Sequence, residues 1–598
     1  MCGIGGYFLR PGGSAPAHAL DRIEAALAHR GPDGSGRFID DHAGLVHTRL
    51  SIVDLARGAQ PFIAPEEDGG KVLIANSEIY NHAALRQLYC GDYEFRSNSD
   101  CETLLALWAR QGATVLRELR GMYAAAFYDP GTAEGLLIRD PFGIKPLYVC
   151  ETTNGLFFAS EIAALRAIGL ADTNPGQLHA ACIIDRQFAP DDIAAFPAIR
   201  RVAPGEMLII RNGQIAEIIV DTPLESNRPD PIEATLDGFE AQLHNSVEAH
   251  LMADVPVGLF FSGGVDSSAI LASLADLRTR DGHAEPILTY TVRFDGSADD
   301  GTARAASLAA AEGAEFVDVP YAKTDFLADV GRAALACDDA VADYAILPTL
   351  HLARRAARDV KVVLSGEGGD EFFAGYGRYR AGLRPFGAKF PTRPGPALRT
   401  GLFGPDVARQ LTTHYERAGA GMPGWLRRLA DRPGALATLQ RHDIHDWLPN
   451  DLLIKLDRCL MRHGLEGRTP FIDRTLSPYG FHLPMAAKIG PGGGKHLVKS
   501  WLERRLPDCE PFTRKRGFTV PVGGWIAEEA RTLAPLVAAQ QGVARLISRD
   551  KALAVIEAAE GRNGLLAWRL LFYAVWHQIH CQGISAEQPL ADILAAQT

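Results

Sequence analysis

Over the first two hundred residues, apolar positions come in short runs broken by turn signals. GLVHTRLSIVDL (44–55), KVLIANSEIY (71–80), MYAAAFYDP (122–130), GLLIRD (135–140) and PLYVCETTNGLFFAS (146–160) read as strands. GPDGSG, DPFG and TTNG punctuate them as turns. Two stretches, AHALDRIEAALAHR (17–30) and DCETLLALWARQG (100–112), are instead apolar on a 3.6 period and predict helices. The pattern predicts a β-rich layered domain. PAIRRVAPGEMLIIRNGQIAEIIV (197–220) reads as its closing hairpin, and the proline-bearing DTPLESNRPDPIE that follows reads as a linker.

From about residue 232 the texture changes. Apolar strands GLFFSG (258–263), ILTYTVRF (287–294) and VKVVLSG (360–366) alternate with long alanine- and arginine-rich helical stretches. Strand–helix alternation predicts a parallel, doubly wound sheet. The last 220 or so residues read as mostly helical. We therefore expect domain boundaries at 1–215, a linker at 216–231, and a second domain at 232–598.

Composition changes this picture little. The 598 residues are 47% hydrophobic and 22% charged, ordinary for a globular chain. A net charge of −11 argues against bulk binding of nucleic acid. Nine cysteines are widely spaced with no CxxC or Cys/His zinc pattern, so no disulfide framework or structural metal is expected. We read neither a signal peptide nor an apolar run of membrane-spanning length, and expect a cytoplasmic protein with no membrane partner.

Chemistry enters at LFFSGGVDSSAI (259–270). A buried strand meets a glycine turn and then a helix, so bare N–H groups at the helix N-terminus make an anion site, to which serine hydroxyls add donors. VLSGEGGDEFFAGY (363–376) brings Ser365, Gly366, Glu367, Asp370 and Glu371 to a second strand end. Carboxylates beside a polyphosphate call for Mg²⁺ or a lysine to balance them. Lys495, Lys499, Arg514, Lys515 and Arg516 are candidate cations.

At the other end stands Cys2 in MCGIGGYF. If Met1 is removed, its α-amine lies beside its own thiol, so one residue carries nucleophile and base. Arg49 suits a bidentate carboxylate clamp, Glu78 and Asp100 an α-ammonium, and Asn76 with a nearby backbone N–H an oxyanion hole.

The motifs MCGI, HRGPD, RLSIVDL, SDCE, RDPFGIKPLY, FASEI, SGGVDSS, SGEGGDE, KLDRCLM…LEGRTPFID and RKRGF occur in this order. On them the chain resembles glutamine-dependent asparagine synthetases of the bacterial type from end to end. The resemblance implies an N-terminal α+β, Ntn-hydrolase-like αββα sandwich that is a class II glutamine amidotransferase. It also implies a C-terminal α/β ATP-pyrophosphatase domain, like the adenine nucleotide alpha hydrolases, with a helical end.

Residue by residue, the resemblance makes Cys2 the nucleophile. Arg49, Leu50, Ser51, Ile52, Val53, Asn76, Ser77, Glu78 and Asp100 line the glutamine site, and Asn76 with the Ser77 backbone forms the oxyanion hole. ATP falls to Phe260, Ser262, Gly263, Gly264, Val265, Asp266, Ser267, Ser268, Val292, Ser365 and Gly366. Asp266 and Asp370 would hold Mg²⁺ at the pyrophosphate. Glu367 is the implied acid–base residue, and Lys495 stabilises the intermediate and leaving group. The implied reaction forms β-aspartyl-AMP from aspartate and ATP, and ammonia from glutamine reaches it through an internal tunnel.

Departures fall on the oxyanion hole and the acceptor side. NSEIYN replaces NGEIYN, and if Ser77 needed φ > 0 it would cost about 1 kcal/mol. MRHGLE (461–466), CDDAVADYAILPT (337–349), FDGSADDGTARAA (294–306) and GAEFVDV (313–319) also depart from the usual pattern. They keep open a different carboxylate acceptor: a uronic acid, a peptide or a secondary metabolite. A cyclase, which needs no ammonia, is disfavoured by the intact Cys2. A non-catalytic glutamine or nucleotide sensor is disfavoured by the intact Cys2, SGGVDSS and Glu367. Assembly is open, a homodimer being one option.

Overall fold

The computed structural model of the chain describes residues 2–170, 174–226, 234–282, 285–295, 301–383, 395–421, 435–513 and 520–596. Among the described residues, twelve strands build the N-terminal half. They are β1 (Gly3–Leu9), β2 (Gly34–Ile39), β3 (Ala43–Arg49), β4 (Phe62–Ile63), β5 (Val72–Ile79) and β6 (Gly121–Asp129). β7 (Glu134–Arg139), β8 (Tyr148–Glu151), β9 (Gly155–Ala159), β10 (Arg200–Arg201), β11 (Glu206–Arg211) and β12 (Gln214–Val220) follow. They form two antiparallel sheets, ordered β10-β8-β9-β1-β3-β2 and β12-β11-β7-β6-β5-β4.

The period-two pleat gives each sheet two apolar faces. Ile4, Phe8, Leu45, Ile74, Ala126, Leu137 and Phe158 fill the space between the sheets. Outside the first sheet, Tyr7, Val46 and Phe157 pack with helices Ala19–Leu27 and Ile162–Ala167. Outside the second, Leu73, Ala75, Tyr123 and Phe127 pack with helix Asp100–Gln111. The result is a four-layer sandwich, where the sequence pattern predicts a β-rich layered domain and the resemblance implies the αββα order.

The linker reading needs a correction. β12 runs to Val220, beyond the boundary expected at 215, because Gln214–Val220 pairs with β11 as the hairpin's return strand. Pro223–Ser226 is helical, and 227–233 lies outside the described residues.

The second half is built on β13 (Val257–Phe260), β14 (Leu288–Phe294), β15 (Glu315–Tyr321), β16 (Val362–Leu364) and β17 (Glu466–Arg468). All pair in parallel, in the order β15-β14-β13-β16-β17. Leu259, Leu364 and Ile270 pack on one face, and Tyr290, Val292, Val363 and Leu347 on the other, so helices cover both sides. Helix Gly564–Gln582 carries Trp568, Phe572 and Trp576 into the core. Trp576 packs at a tilt against His179 and Phe196 of the N-terminal half. Among the described residues, no helix is long and apolar enough to cross a membrane.

Candidate active site

Cys2 immediately precedes β1 and is buried. Its N–H donates to Asn76 Oδ1 at 2.9 Å. Burial raises the thiol above its ordinary value, and the Leu50 amide works against that. Asn76 is fully buried, and its Nδ2 has no hydrogen-bond partner among the described residues. A buried, unpartnered donor on the same amide that accepts the Cys2 N–H is compatible with an oxyanion hole.

The second donor follows from the pleat. Ala75 and Ile79 turn their N–H groups away from β6, to Gln60 Oε1 (2.6 Å) and Asp100 Oδ2 (2.7 Å). Ser77 N–H lies between them on the same edge. Ser77 is an extended residue of β5 and is absent from the positive-φ residues, so the backbone cost considered for serine does not arise. Its Oγ lies 3.2 Å from Cys101 Sγ, towards the outer helix.

The Arg49 guanidinium is held by the carbonyls of Asp54 (2.7 Å), Leu55 (3.2 Å) and Val53 (3.4 Å). Ser51 N–H donates to Asp33 Oδ2 (2.7 Å), and the Ile52 carbonyl accepts from Asp254 N–H (2.9 Å). Leu50 and Ile52 turn their side chains to Val362 and Met461 of the second half. Glu78 and Asp100 are buried. Burial and the neighbouring Glu466 push Glu78 well above the usual carboxylate range, and burial pushes Asp100 up to about 6. Both are poised to gain from an incoming cation.

At the second site, β13 ends at Phe260 and helix Val265–Asp281 begins with Gly264 as its N-cap. Gly263 has φ 66°, a turn that a glycine makes at little cost. Ser262 Oγ receives the Gly264 N–H (3.3 Å) and sits 3.2 Å from Ser267 Oγ. Ser262 is exposed, whereas Ser267 and Ser268 are buried at the helix start. Val265 and Phe260 are half-buried, and Val292 is buried near the end of β14.

The loop after β16 presses against this turn. A Cβ at Gly366 would meet Asp266 Cβ at 2.9 Å, and one at Gly369 would meet Asp266 Oδ1 at 2.3 Å. Lys495 Nζ contacts Asp266 and lies 2.6 Å from Asp370 Oδ1. Burial alone would lower this lysine, but the two aspartates raise it. Lys495 also has φ 59°, the strained left-handed conformation, at the head of helix His496–Arg505. Asp266 and Asp370 converge on one cation with hard oxygen donors, so they also fit Mg²⁺.

Glu367 is half-buried, and burial raises it against the pull of Lys455, 3.8 Å away. Lys455 in turn binds Asp343 Oδ2 at 2.8 Å. Glu371 turns inward instead. It accepts from Tyr376 OH (2.6 Å), and burial pushes it up to about 8, so it carries little charge at neutral pH. Lys499 Nζ caps the Gly492 carbonyl (3.0 Å), away from the loops' shared lysine. Arg514, Lys515 and Arg516 lie outside the described residues.

Sequence comparison matches these two halves separately. A model described as "Glutamine amidotransferase domain" matches residues 1–219, and one described as "Asparagine synthase" matches residues 238–578, more than half of the chain. The chain belongs to the asparagine synthase family. It is 29% identical to asparagine synthetase [glutamine-hydrolyzing] 1 of Bacillus subtilis, over 97% of both chains. It is also 29% identical to asparagine synthetase B [glutamine-hydrolyzing] of Escherichia coli, over 90% of this chain and 86% of that one. Amidase chry2 of Gibberella zeae is 29% identical over 85% of both chains.

Within this family frame, several buried charges carry no local signal in the sequence. Arg30 of HRGPD binds Glu161 Oε1 (2.8 Å) of FASEI and Asp457 Oδ2 (2.8 Å) of KLDRCLM. Arg458 binds Glu161 (2.9 Å) and Asp338 (3.1 Å). The divergent stretch 337–349 divides its roles. Asp338 takes the Ala163 N–H (2.7 Å), and Asp339 binds Arg201 and Tyr148 OH (3.0 Å), so both face the glutaminase half. Only Asp343 faces Glu367, through Lys455. Gly464 of MRHGLE, at φ 61°, packs on Pro32.

Proposed function

We propose that this synthetase-family enzyme hydrolyses glutamine at Cys2 and uses the ammonia to amidate aspartate, activated as β-aspartyl-AMP. The observation that carries the reading is Cys2 beside the unpartnered Asn76 Nδ2, in a chain whose second half brings Ser262–Ser268 and Ser365–Asp370 together at Lys495.

The Cys2 thiolate attacks the glutamine side-chain amide, and Asn76 Nδ2 and Ser77 N–H receive the developing oxyanion. Glu78 and Asp100 hold the α-ammonium, and Arg49 the α-carboxylate. Ammonia leaves and water releases glutamate from the thioester. Removal of Met1 would free the α-amine as base.

At the other site, the aspartate side-chain carboxylate attacks the α-phosphorus of ATP and pyrophosphate leaves. Serine hydroxyls and the helix N-terminus receive the phosphates, and Lys495 balances the leaving group. Mg²⁺ held by Asp266 and Asp370 would neutralise pyrophosphate charge. Ammonia attacks the acyl carbon of the adenylate, the bond to the phosphate oxygen breaks, AMP leaves, and Glu367 takes the proton, for which a raised pKa suits it. Ammonia must stay out of bulk water, where protonation removes its nucleophilicity. The apolar contact of Leu50 and Ile52 with Val362 and Met461 supports a dry passage at the seam. The work is that of a soluble enzyme of the cytoplasm, and a homodimer stays one option.

A second reading keeps the chemistry and changes the acceptor. The similarity to amidase chry2 and the departures at 337–349 favour it. One assay separates the two: pyrophosphate release with ATP and Mg²⁺, with single carboxylates offered alongside glutamine or ammonium. Aspartate giving no pyrophosphate above background would overturn the asparagine reading. Cys2→Ala is expected to lose glutamine use and keep ammonia use.

A further inference from the structure

The glutamine subsite has a partner from the other half of the chain. Arg468 ends β17 and is completely buried. Its Nε binds Glu466 Oε1 (2.6 Å), and its Nη1 donates to the carbonyls of His250 (2.8 Å) and Met252 (2.7 Å). Three bonds from the synthetase half thus fix the guanidinium plane. The remaining nitrogen, Nη2, lies 3.1 Å across the seam from Glu78 Oε2, an ion pair without hydrogen-bond alignment.

The same residue is wired to the second site through its backbone. Its carbonyl accepts the Ser365 N–H at 2.8 Å, where β16 turns into the SGEGGDE loop, and Leu364 pairs with Arg468 in the sheet. One hydrogen bond and one sheet pair thus join that loop to the backbone that carries the guanidinium.

We propose that Arg468 is a positioning residue for the glutamine α-ammonium, acting through Glu78, and that it ties this subsite to the Ser365–Asp370 loop. The inference rests on the reading of Glu78 as part of a glutamine site. Glu78, Asp100 and Glu466 bring three carboxylates into one buried region, and Arg468 offsets part of their charge. An α-ammonium supplies a further positive charge where it is needed, so selectivity for an amino acid over its deaminated analogue depends on Glu78 being ionised and aimed. Lysine has no planar fork and cannot serve Glu466, two carbonyls and Glu78 together.

The test compares glutamine with glutaramate, the same amide lacking the α-amino group. The ratio of their kcat/KM values for Cys2-dependent ammonia release is internal to each protein and independent of the folded fraction. Arg468→Lys is expected to lower this ratio at least tenfold, while ammonium-supported pyrophosphate release stays within threefold of the parent. An unchanged ratio, or equal losses with glutamine and ammonium, would overturn the positioning role. The tie to Ser365 is read on the unsubstituted protein, which needs no variant to fold. A non-hydrolysable ATP analogue is expected to change the ratio at least threefold, and no change would overturn the tie. Failure of the underlying reading looks different: Cys2→Ala would still hydrolyse glutamine.

Discussion

Gly375→Ala is expected to separate the two half-reactions. Gly375 follows the SGEGGDE loop, and its N–H closes a turn on the Asp370 carbonyl at 2.8 Å. It is not among the positive-φ glycines, so its backbone accepts alanine and the effect is steric alone. A Cβ there would lie 1.9 Å from Asp370 Oδ1 and 2.3 Å from Lys495 Cε. Ordinary contact begins at about 3.5 Å. Both groups must therefore retreat by about 1 Å or more, which opens the 2.6 Å ion pair between them. Both obstructing atoms are near side-chain ends, so the fold tolerates the change. A catalytic group misplaced by about 1 Å costs on the order of 100-fold in rate. Ammonium-supported pyrophosphate release should fall by about that factor, and glutamine hydrolysis at Cys2 should stay within twofold. Circular dichroism checks that the variant is folded. Pyrophosphate release within threefold of the parent would refute the assignment of Asp370 and Lys495 to adenylation.

Three other expectations rest on separate observations. Asn76→Ala removes an oxyanion donor, so kcat for glutamine hydrolysis should drop roughly 10²–10³-fold with ammonium-supported synthesis preserved; steady-state assays with each donor decide it. Asp100, raised to about 6, is charged above that pH and neutral below it, while the glutamine α-ammonium stays charged throughout. The kcat/KM for glutamine should therefore fall as pH drops through 6, by about tenfold per unit, and Asp100→Asn should lack that limb. Gly464→Ala meets nothing closer than Pro32 Cγ at 3.4 Å but must hold φ 61°. Urea unfolding should show a loss of about 1 kcal/mol.

Local pattern made much of this molecule readable. The layered β-rich half follows from short apolar runs between turn signals, and the strand–turn–helix at 259–270 from a strand meeting SGGVDSS. Cys2, Asn76, Glu78 and Asp100 come together as the motifs suggest, and Lys495 joins Asp266 and Asp370. What stayed hidden lies between distant segments. Arg30 and Asp457 are 427 residues apart, and no periodicity links them. Arg468 and Lys455 stand inside motifs that the sequence singles out, yet their roles depend on which carboxylate the fold sets opposite. Glu371 misleads for the reverse reason: its neighbour Asp370 meets Lys495, while the helical turn points Glu371 at Tyr376. The closing hairpin at 197–220 was legible, and only the boundary placed at 215 cut through its return strand, whose exposed, mixed face lacks clean alternation.

The seam around Arg30 bears on how this protein can be divided. A designer cutting near residue 226 would find a plausible boundary in the sequence and an unsuitable one in the structure. A solitary N-terminal piece would keep Arg30 and Glu161 but lose Asp457 and Arg458, leaving Leu50 and Ile52 open to water and Glu78 without Arg468. The solitary C-terminal piece would strand Asp338 and Asp339 without Ala163 and Arg201. The two catalytic modules are thus separable as chemistry but not as parts. Transplanting this glutaminase onto another synthetase would require carrying over the opposing face as well.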